Sequence, residues 1–248
     1  MDESRFQAAI RMRDEQRPSD AYEELRSMFE SADDAVTRSS LLLNMAACQA
    51  WMGHLDEADA LIREARSLFP AGGRTPRLYA DFLEASVLAS SRRYSEAVSA
   101  FEKLLAAYSD LLSTENEHDL YVDAKQRLGF ALVAAKNFGD GISVLEELVC
   151  EDAAEQQRIS LYLGIAYSFA PGQSDRARSH FLAASGGTDT ELRVEADCRL
   201  GILELQSGRH DEASNWLTRA YREASSGSEW RQKALEYMQQ LPVKTRKS

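Results

Sequence analysis

The sequence predicts an all-α protein, a right-handed α-solenoid of about six helical hairpins plus a C-terminal capping helix. Three observations carry this. The 248 residues are 44% hydrophobic with thirteen Gly and five Pro, enough apolar material for a sizeable core and too few breakers for long coil segments. The stretch "MGHLDEADALIREARSLFP" at 52–70 returns in altered form as "SGRHDEASNWLTRAYREAS" at 207–225. A small residue also recurs twelve positions after another: Ala9 to Ala21, Ala46 to Ala58, Ala85 to Ala97, Gly129 to Gly141 and Gly201 to Ala213. Gly164 reaches Ala177 one residue late, because "APGQSD" makes a longer turn.

Packing explains the period. Small residues let two antiparallel helices approach closely, and apolar residues four and seven positions on keep one stripe of the second helix against its neighbours. The first set is Leu25, Ile62, Phe101, Leu145, Phe181 and Leu217; the second is Met28, Ala65, Leu104, Leu148, Ala184 and Ala220. A single hairpin cannot bury its own apolar face, so such units stack in series and end in a cap.

In chain order the hairpins fall near 4–31, 39–70, 76–112, 118–150, 156–185 and 191–225, the first being degenerate, all within one domain over 1–242. Gly53 and Gly208 suit the left-handed residue that ends a helix, and Asp56, Ser95, Ser174 and Asp211 suit N-caps of the helices that follow. The interval from Ala97 to Gly141 is 44 residues against 36 for the next two, and the excess in "LAAYSDLLSTENEHDLYVD" predicts two lengthened helices meeting at a tip near Ser113 to His118. "SGSEWRQKALEYMQQLP" predicts a cap helix over 228–241, with Ser228 as N-cap and Trp230, Leu235, Met238 and Leu241 on one face. The last residues, 243–248, are expected to form a basic flexible tail.

At this level the sequence resembles the tetratricopeptide repeat (TPR) family. That pattern runs from a small pair through an aromatic and a turn Gly to Ala, an aromatic and Ala, often closing on Pro. It is matched by "NMAACQAWMGHLDEADALIREARSLFP", by "YLGIAYSF" with "DRARSHFLAAS", and by "RLGILELQSGRHDEASNWLTRA". Other helical repeats of about 40 residues are the structural alternative, since successive units here are roughly 38 residues apart. The resemblance implies a stack whose first helices line a concave face.

Nothing in the sequence points to catalysis. It has no Gly-rich phosphate cradle, and His54, His118, His180 and His210 show no metal-ligand spacing. Cys48, Cys150 and Cys198 lie far apart, as in a reducing compartment, and Cys48 reads as a small core residue. A net charge of −11 argues against nucleic acid and anionic membranes. No apolar run is long enough to span a bilayer, and "MDESRFQAAIRMRDEQ" lacks the apolar core of a signal peptide. The expectation is a cytoplasmic, non-catalytic protein with no cofactor and no metal.

The expected function lies along the first helices. Positions six and three before, and one and four after, each small residue share one face. They read Ser40, Leu43, Ala47, Ala50; Tyr79, Phe82, Ser86, Ala89; Asp123, Gln126, Phe130, Val133; Arg158, Leu161, Ile165, Ser168; and Glu195, Cys198, Ile202, Leu205. Asn44, Trp51, Arg127, Tyr162, Phe169 and Arg199 flank them. The expected partner-binding set is Asn44, Trp51, Tyr79, Phe82, Gln126, Arg127, Phe130, Arg158, Tyr162, Ile165, Phe169 and Arg199. So apolar a lining predicts a protein partner, a peptide or helix with apolar anchors and a carboxylate, held by an adaptor or scaffold. The alternatives are a structural subunit of a larger assembly or homo-oligomer, or a tightly superhelical stack that buries part of the stripe against itself or its own C-terminal cap. The family's carboxylate clamps for heat-shock chaperone tails use Asn, Lys and Arg on successive first helices. Asn44 matches the Asn, but the next unit offers Tyr79, Phe82 and Leu83 and no basic residue, which argues against that clamp.

Overall fold

The structure is a computed structural model that describes residues 3–14, 17–70, 73–114, 118–148 and 152–242. All regular structure among them is helical. In chain order the helices are α1 (Glu3–Asp14), α2 (Pro18–Glu30), α3 (Ala35–Trp51), α4 (Leu55–Ser67), α5 (Arg74–Ser90), α6 (Tyr94–Ala107) and α7 (Ser109–Leu112). Then follow α8 (His118–Ala134), α9 (Phe138–Glu146), α10 (Ala153–Phe169), α11 (Ser174–Ser185), α12 (Thr190–Gln206), α13 (His210–Glu223) and α14 (Glu229–Met238). The chain divides into two compact units, Met1–Ala131 and Leu132–Ser248. The first contains the hairpins α1–α2, α3–α4 and α5–α6; the second contains α10–α11, α12–α13 and the turn from the end of α8 into α9.

The small residues do what their spacing implies. All twelve are buried, and so are the six large side chains four positions beyond the second of each pair: Leu25, Ile62, Phe101, Leu145, Phe181 and Leu217. Burying each such side chain contributes roughly 1.5 to 3 kcal/mol. Two glycines show the contact directly. A Cβ added at Gly164 would stand 2.5 Å from the ring of Phe181, and one at Gly201 would stand 2.5 Å from Leu217. The seven-position set follows suit except Leu148, which is half-buried.

Four hairpin turns share one backbone device. After α3, the N–H of His54 reaches back to the carbonyl of Gln49 and that of Gly53 to Ala50; Arg93 to Leu88 with Arg92 to Ala89, Asn137 to Leu132 with Lys136 to Val133, and Arg209 to Glu204 with Gly208 to Leu205 repeat it. This is a Schellman closure, which needs a left-handed residue at the last donor but one. Gly53 and Gly208 supply it as expected, at φ 83° and 74°; Arg92 and Lys136 adopt it at φ 59° and 66° without glycine's freedom.

The turn leads straight into the next helix, which corrects the expected caps. Asp56, Ser95 and Asp211 stand second in α4, α6 and α13, and Ser174 stands first in α11; the N-cap residues are His54, Arg93, Arg209 and Gln173, none of which makes a side-chain capping hydrogen bond. The acidic residues instead sit in the first turn, where the helix dipole favours them. Side-chain caps are used where the connection is longer: Asp34 accepts from Thr37 N–H at 2.8 Å, Asp152 from Glu155 N–H at 2.8 Å, and Asp189 from Leu192 N–H at 3.1 Å. Ser228 caps α14 as expected, accepting from Trp230 N–H at 3.2 Å.

The lengthened helices near the tip are also corrected. α8 has 17 residues, the same as α3, α5, α10 and α12. The excess is instead a break at Tyr108 followed by the four-residue α7. The break is held: the Tyr108 hydroxyl donates to Asp81 at 2.8 Å, while Arg74 forks onto Asp110 at 2.6 and 2.9 Å and donates to the Ala107 carbonyl. Residues 115–117 of the expected tip, the expected tail at 243–248, and Cys150 lie outside the described residues.

Polar ties not foreseen from the sequence join the first helices α5 and α12 to the second-helix segments on either side. Asp81 accepts from Arg66, at the end of α4, as well as from Tyr108. At the same repeat position on α12, Asp197 is 0% exposed and accepts from the Ser185 hydroxyl at 2.7 Å and from Arg219 of α13 at 2.7 Å. Further along α12, Glu204, also 0% exposed, accepts from Arg178 of α11 at 2.6 Å and from Arg209. Burial pushes the Asp197 carboxyl above the usual carboxylate range, against the opposing pull of Ser185 and Arg219.

Candidate functional site

The first unit holds an open cleft of about 650 Å³ between α1, α3, α5 and the start of α8. Its walls follow from the repeat. The face that carries Ser40, Leu43 and Ala47 on α3 and Tyr79 and Phe82 on α5 is the face that lines the cleft. The same offsets counted from Ala9 give Phe6, Ile10 and Arg13 on α1, which line it too. Val36 and Thr75 each lie one helical turn further back on α3 and α5, and Leu120 comes from α8.

Two of these large side chains remain partly in water: Val36 is 56% exposed and Tyr79 40%. Phe82 is 8% exposed, edge-on to Phe101 at 6.1 Å, and forms the floor. The Arg127 guanidinium lies 5.2 Å over the Phe82 ring and is tied to Asp123 at 2.8 Å. Arg13 is the charged side chain among the described lining residues, and none of those is acidic. Asn44 does not offer a free amide: its Oδ1 accepts from Arg13 at 3.2 Å and its Nδ2 donates to the Ser40 carbonyl at 2.9 Å. The cation nearest Asn44 therefore comes from the preceding unit, through Arg13.

The expected binding residues are thus only partly gathered. Asn44, Tyr79 and Phe82 line the cleft; Arg127 stands over Phe82. Trp51 is at the end of α3, 57% exposed and outside the cleft lining, Gln126 is 5% exposed, and Phe130 is half-buried. Phe6, Ile10, Arg13 and Val36 were missing from the sequence-derived set. Applying the stripe offsets to the degenerate first hairpin identifies three of the four.

In the second unit, Arg158 is bonded to Glu155 at 2.9 Å, and Tyr162 and Ile165 are half-buried. Phe169 is 62% exposed and stacks on Phe138 with centroids 4.7 Å apart. On α12 the stripe is covered: Cys198 is 0% exposed beneath α14, Ile202 packs against the same cluster, and Arg199 lies 4.9 Å over Trp230 of α14 while bonded to Glu195. Tyr167 bonds to Glu146 and to Arg176 and stacks on His180, whose imidazole burial holds below its ordinary range.

Among the described residues no group of three or more His, Cys, Asp or Glu side chains is placed to hold a metal ion. Every buried polar side-chain atom there has a hydrogen-bond partner. Burial pushes the Cys198 thiol up to about 11, so it carries no appreciable thiolate at neutral pH. No helix among the described residues is long and apolar enough to cross a membrane.

Among solved structures, the chain is similar to BtubC (BKLC) from P. vanneervenii, at 18% identity over 89% of this chain and 90% of that one, with a TM-score of 0.57. The fold is TPR-like. A kinesin light chain with nearly identical TPR-like repeats from Podosopora anserina aligns over 89% of this chain and 93% of that one, at 14% identity and a TM-score of 0.45. No protein-family model matches the sequence, and no curated protein matches it. At these identities the likeness extends to the fold, and the TPR-like hairpins account for the buried small pairs and the repeated turns.

Proposed function

We propose that the protein is a non-catalytic cytoplasmic adaptor or scaffold that binds another protein, seating a peptide or helix of that partner in the first-unit cleft. The observation that most directly supports this is an open, largely apolar cleft of about 650 Å³ with Val36 and Tyr79 left in water at its walls. Apolar surface in such a concentration favours association, and covering these two side chains would contribute on the order of 1 kcal/mol each. The cleft also sets the chemistry of the occupant. A basic side chain inserted there would lose its hydration without meeting an acidic group among the described lining residues, whereas a carboxylate would meet Arg13. The preferred segment has apolar anchors and at least one carboxylate. Its dissociation constant should be micromolar, about −8 kcal/mol.

The test uses exposed residues, so that folding is spared. Val36→Asp and Tyr79→Ala in the full-length chain, checked by circular dichroism, should weaken binding to a partner recovered from the native source by about ten-fold or more. Trp51→Ala, equally exposed but outside the cleft, should not. Parent-like binding by both cleft variants would move the interface elsewhere.

A further inference from the structure

The first-unit cleft carries its exposed apolar side chains and its charge at different places along its length. Val36 and Asn44 both line it from α3, eight residues and therefore about 12 Å apart along the helix. Ser40 lies midway, and Tyr79 of α5 holds the equivalent repeat position, each six residues before the small residue of its own hairpin. Val36 and Tyr79 thus mark one end and the middle, about 6 Å apart in helical rise, and the cation stands at the other end. That cation is placed. Arg13, in the last turn of α1, donates to Asn44 Oδ1 at 3.2 Å, and Asn44 is itself held by its Nδ2 donating to the Ser40 carbonyl at 2.9 Å. A guanidinium already positioned loses less freedom when it takes a carboxylate. The room suits an extended chain. Eight residues of helix, about 10 Å across, fill roughly 900 Å³, more than the cleft's 650 Å³. An extended residue takes about 160 Å³ at strand spacings, so about four fit. Residues on one face of an extended chain recur about every 6.6 Å, close to the 6 Å steps from Val36 to Tyr79 to Asn44.

Resting on the reading of this cleft as the partner site, we propose that Arg13, positioned by Asn44, makes it selective for an extended segment of the form apolar-x-apolar-x-acidic, in either chain direction. The two apolar side chains seat on Val36 and Tyr79, and an Asp or Glu side chain meets Arg13. The acid is a side chain because, at that position, it points to the same face as the anchors, whereas a chain terminus lies in line with the backbone. Arg13 then determines specificity and Asn44 is its positioning residue.

Fluorescein-labelled peptides, flanked by serines and amidated, test this on the full-length chain by fluorescence polarisation. Leu-Ser-Leu-Ser-Glu and the reversed order Glu-Ser-Leu-Ser-Leu are compared, and the tighter one is carried forward. It should bind about five- to ten-fold more tightly than the same peptide with Gln for Glu, or with Glu moved one residue along onto the opposite face. Arg13→Gln should abolish that preference and leave the affinity of the Gln peptide unchanged; Asn44→Ala should reduce the preference about two- to three-fold, with circular dichroism confirming the fold of both. Tyr79→Ala should weaken all the peptides alike. The proposal is overturned if the preference survives Arg13→Gln, if the position of Glu is immaterial, or if none of the peptides binds. It is equally overturned if tighter binding comes from a helical peptide with anchors four residues apart and Glu four further on, or from Leu-Ser-Leu-Ser ending in a free carboxylate. Should Tyr79→Ala still weaken binding in those cases, the cleft remains the partner site and its selectivity alone is refuted; unchanged binding of every peptide to Tyr79→Ala removes the cleft reading itself.

Discussion

Replacing Gly164 by Ala isolates the contact on which the repeat depends. In an α-helix this exchange normally stabilises by about 1 kcal/mol, because Ala loses less backbone entropy. Here the new methyl carbon would lie 2.5 Å from Cδ1, 2.7 Å from Cε1 and 3.0 Å from Cγ of Phe181. Comfortable carbon contacts are about 3.5 to 4.0 Å, so the overlap is about 1 Å against a ring with no free space around it. Phe181 is 1% exposed in the middle of α11, so relief requires α10 and α11 to move apart. Overpacking of this kind costs roughly 1 to 3 kcal/mol, and set against the helix-propensity gain it leaves an expected net loss of about 0 to 2 kcal/mol. Gly139→Ala in α9 is the control, since a Cβ there meets nothing within 4 Å; it should be neutral or slightly stabilising. In a Phe181→Leu background the penalty at Gly164 should shrink or change sign. Urea denaturation followed by circular dichroism gives the comparison, supplemented by hydrogen exchange in α10 and α11 because a stack need not unfold in one step. If Gly164→Ala stabilises the protein as much as Gly139→Ala does, the close approach of α10 and α11 is wrong.

Other consequences can be measured in the same way. Arg92→Gly and Lys136→Gly should each stabilise the protein by about 0.5 to 1 kcal/mol, because both residues hold left-handed backbone, and a loss of midpoint in urea would contradict this. Arg219→Met should cost about 2 to 3 kcal/mol at pH 7, since it leaves the buried Asp197 carboxylate with Ser185 alone. The Asp197 pKa is raised in the folded chain, so the group favours folding at low pH and opposes it as pH rises through the folded value; the Arg219→Met penalty should therefore be smaller at pH 4 than at pH 7. His180 has the opposite sign: its lowered pKa supports the folded state above the ordinary imidazole range and withdraws that support as pH falls, so His180→Gln should flatten the pH dependence of stability between pH 7 and 5.

The stack was legible in the sequence because its constraint is local and periodic. A small residue such as Gly201 and a large one such as Leu217 are placed by helix geometry and turn length alone, and both can be counted along the chain. The same counting reaches Tyr79 and Phe82 in the cleft. It missed Phe6, Ile10 and Arg13 because the first hairpin departs from the pattern that would have invited the count. The ties through Asp197 and Glu204 were hidden for a different reason. An acidic residue in a charged helix looks solvated until one knows that Arg219 closes over Asp197 and Arg178 over Glu204. The caps failed because the turn spends no residue on a cap, so the acidic side chain lands inside the helix.

That turn has a bearing on how far such a chain can drift. Its closure is made by main-chain groups, and the left-handed position is filled by Gly53, Arg92, Lys136 and Gly208 in four otherwise equivalent places. A non-glycine there costs about 1 kcal/mol, which a stack of many interfaces can absorb, so the letter at the bend is almost free to change while the bend persists. The information that specifies each hairpin is thereby reduced to a size rule, small against large across one helix pair, which many sequences satisfy. An architecture written in so few obligatory letters can be shared at 18% identity and still align over nine-tenths of two chains.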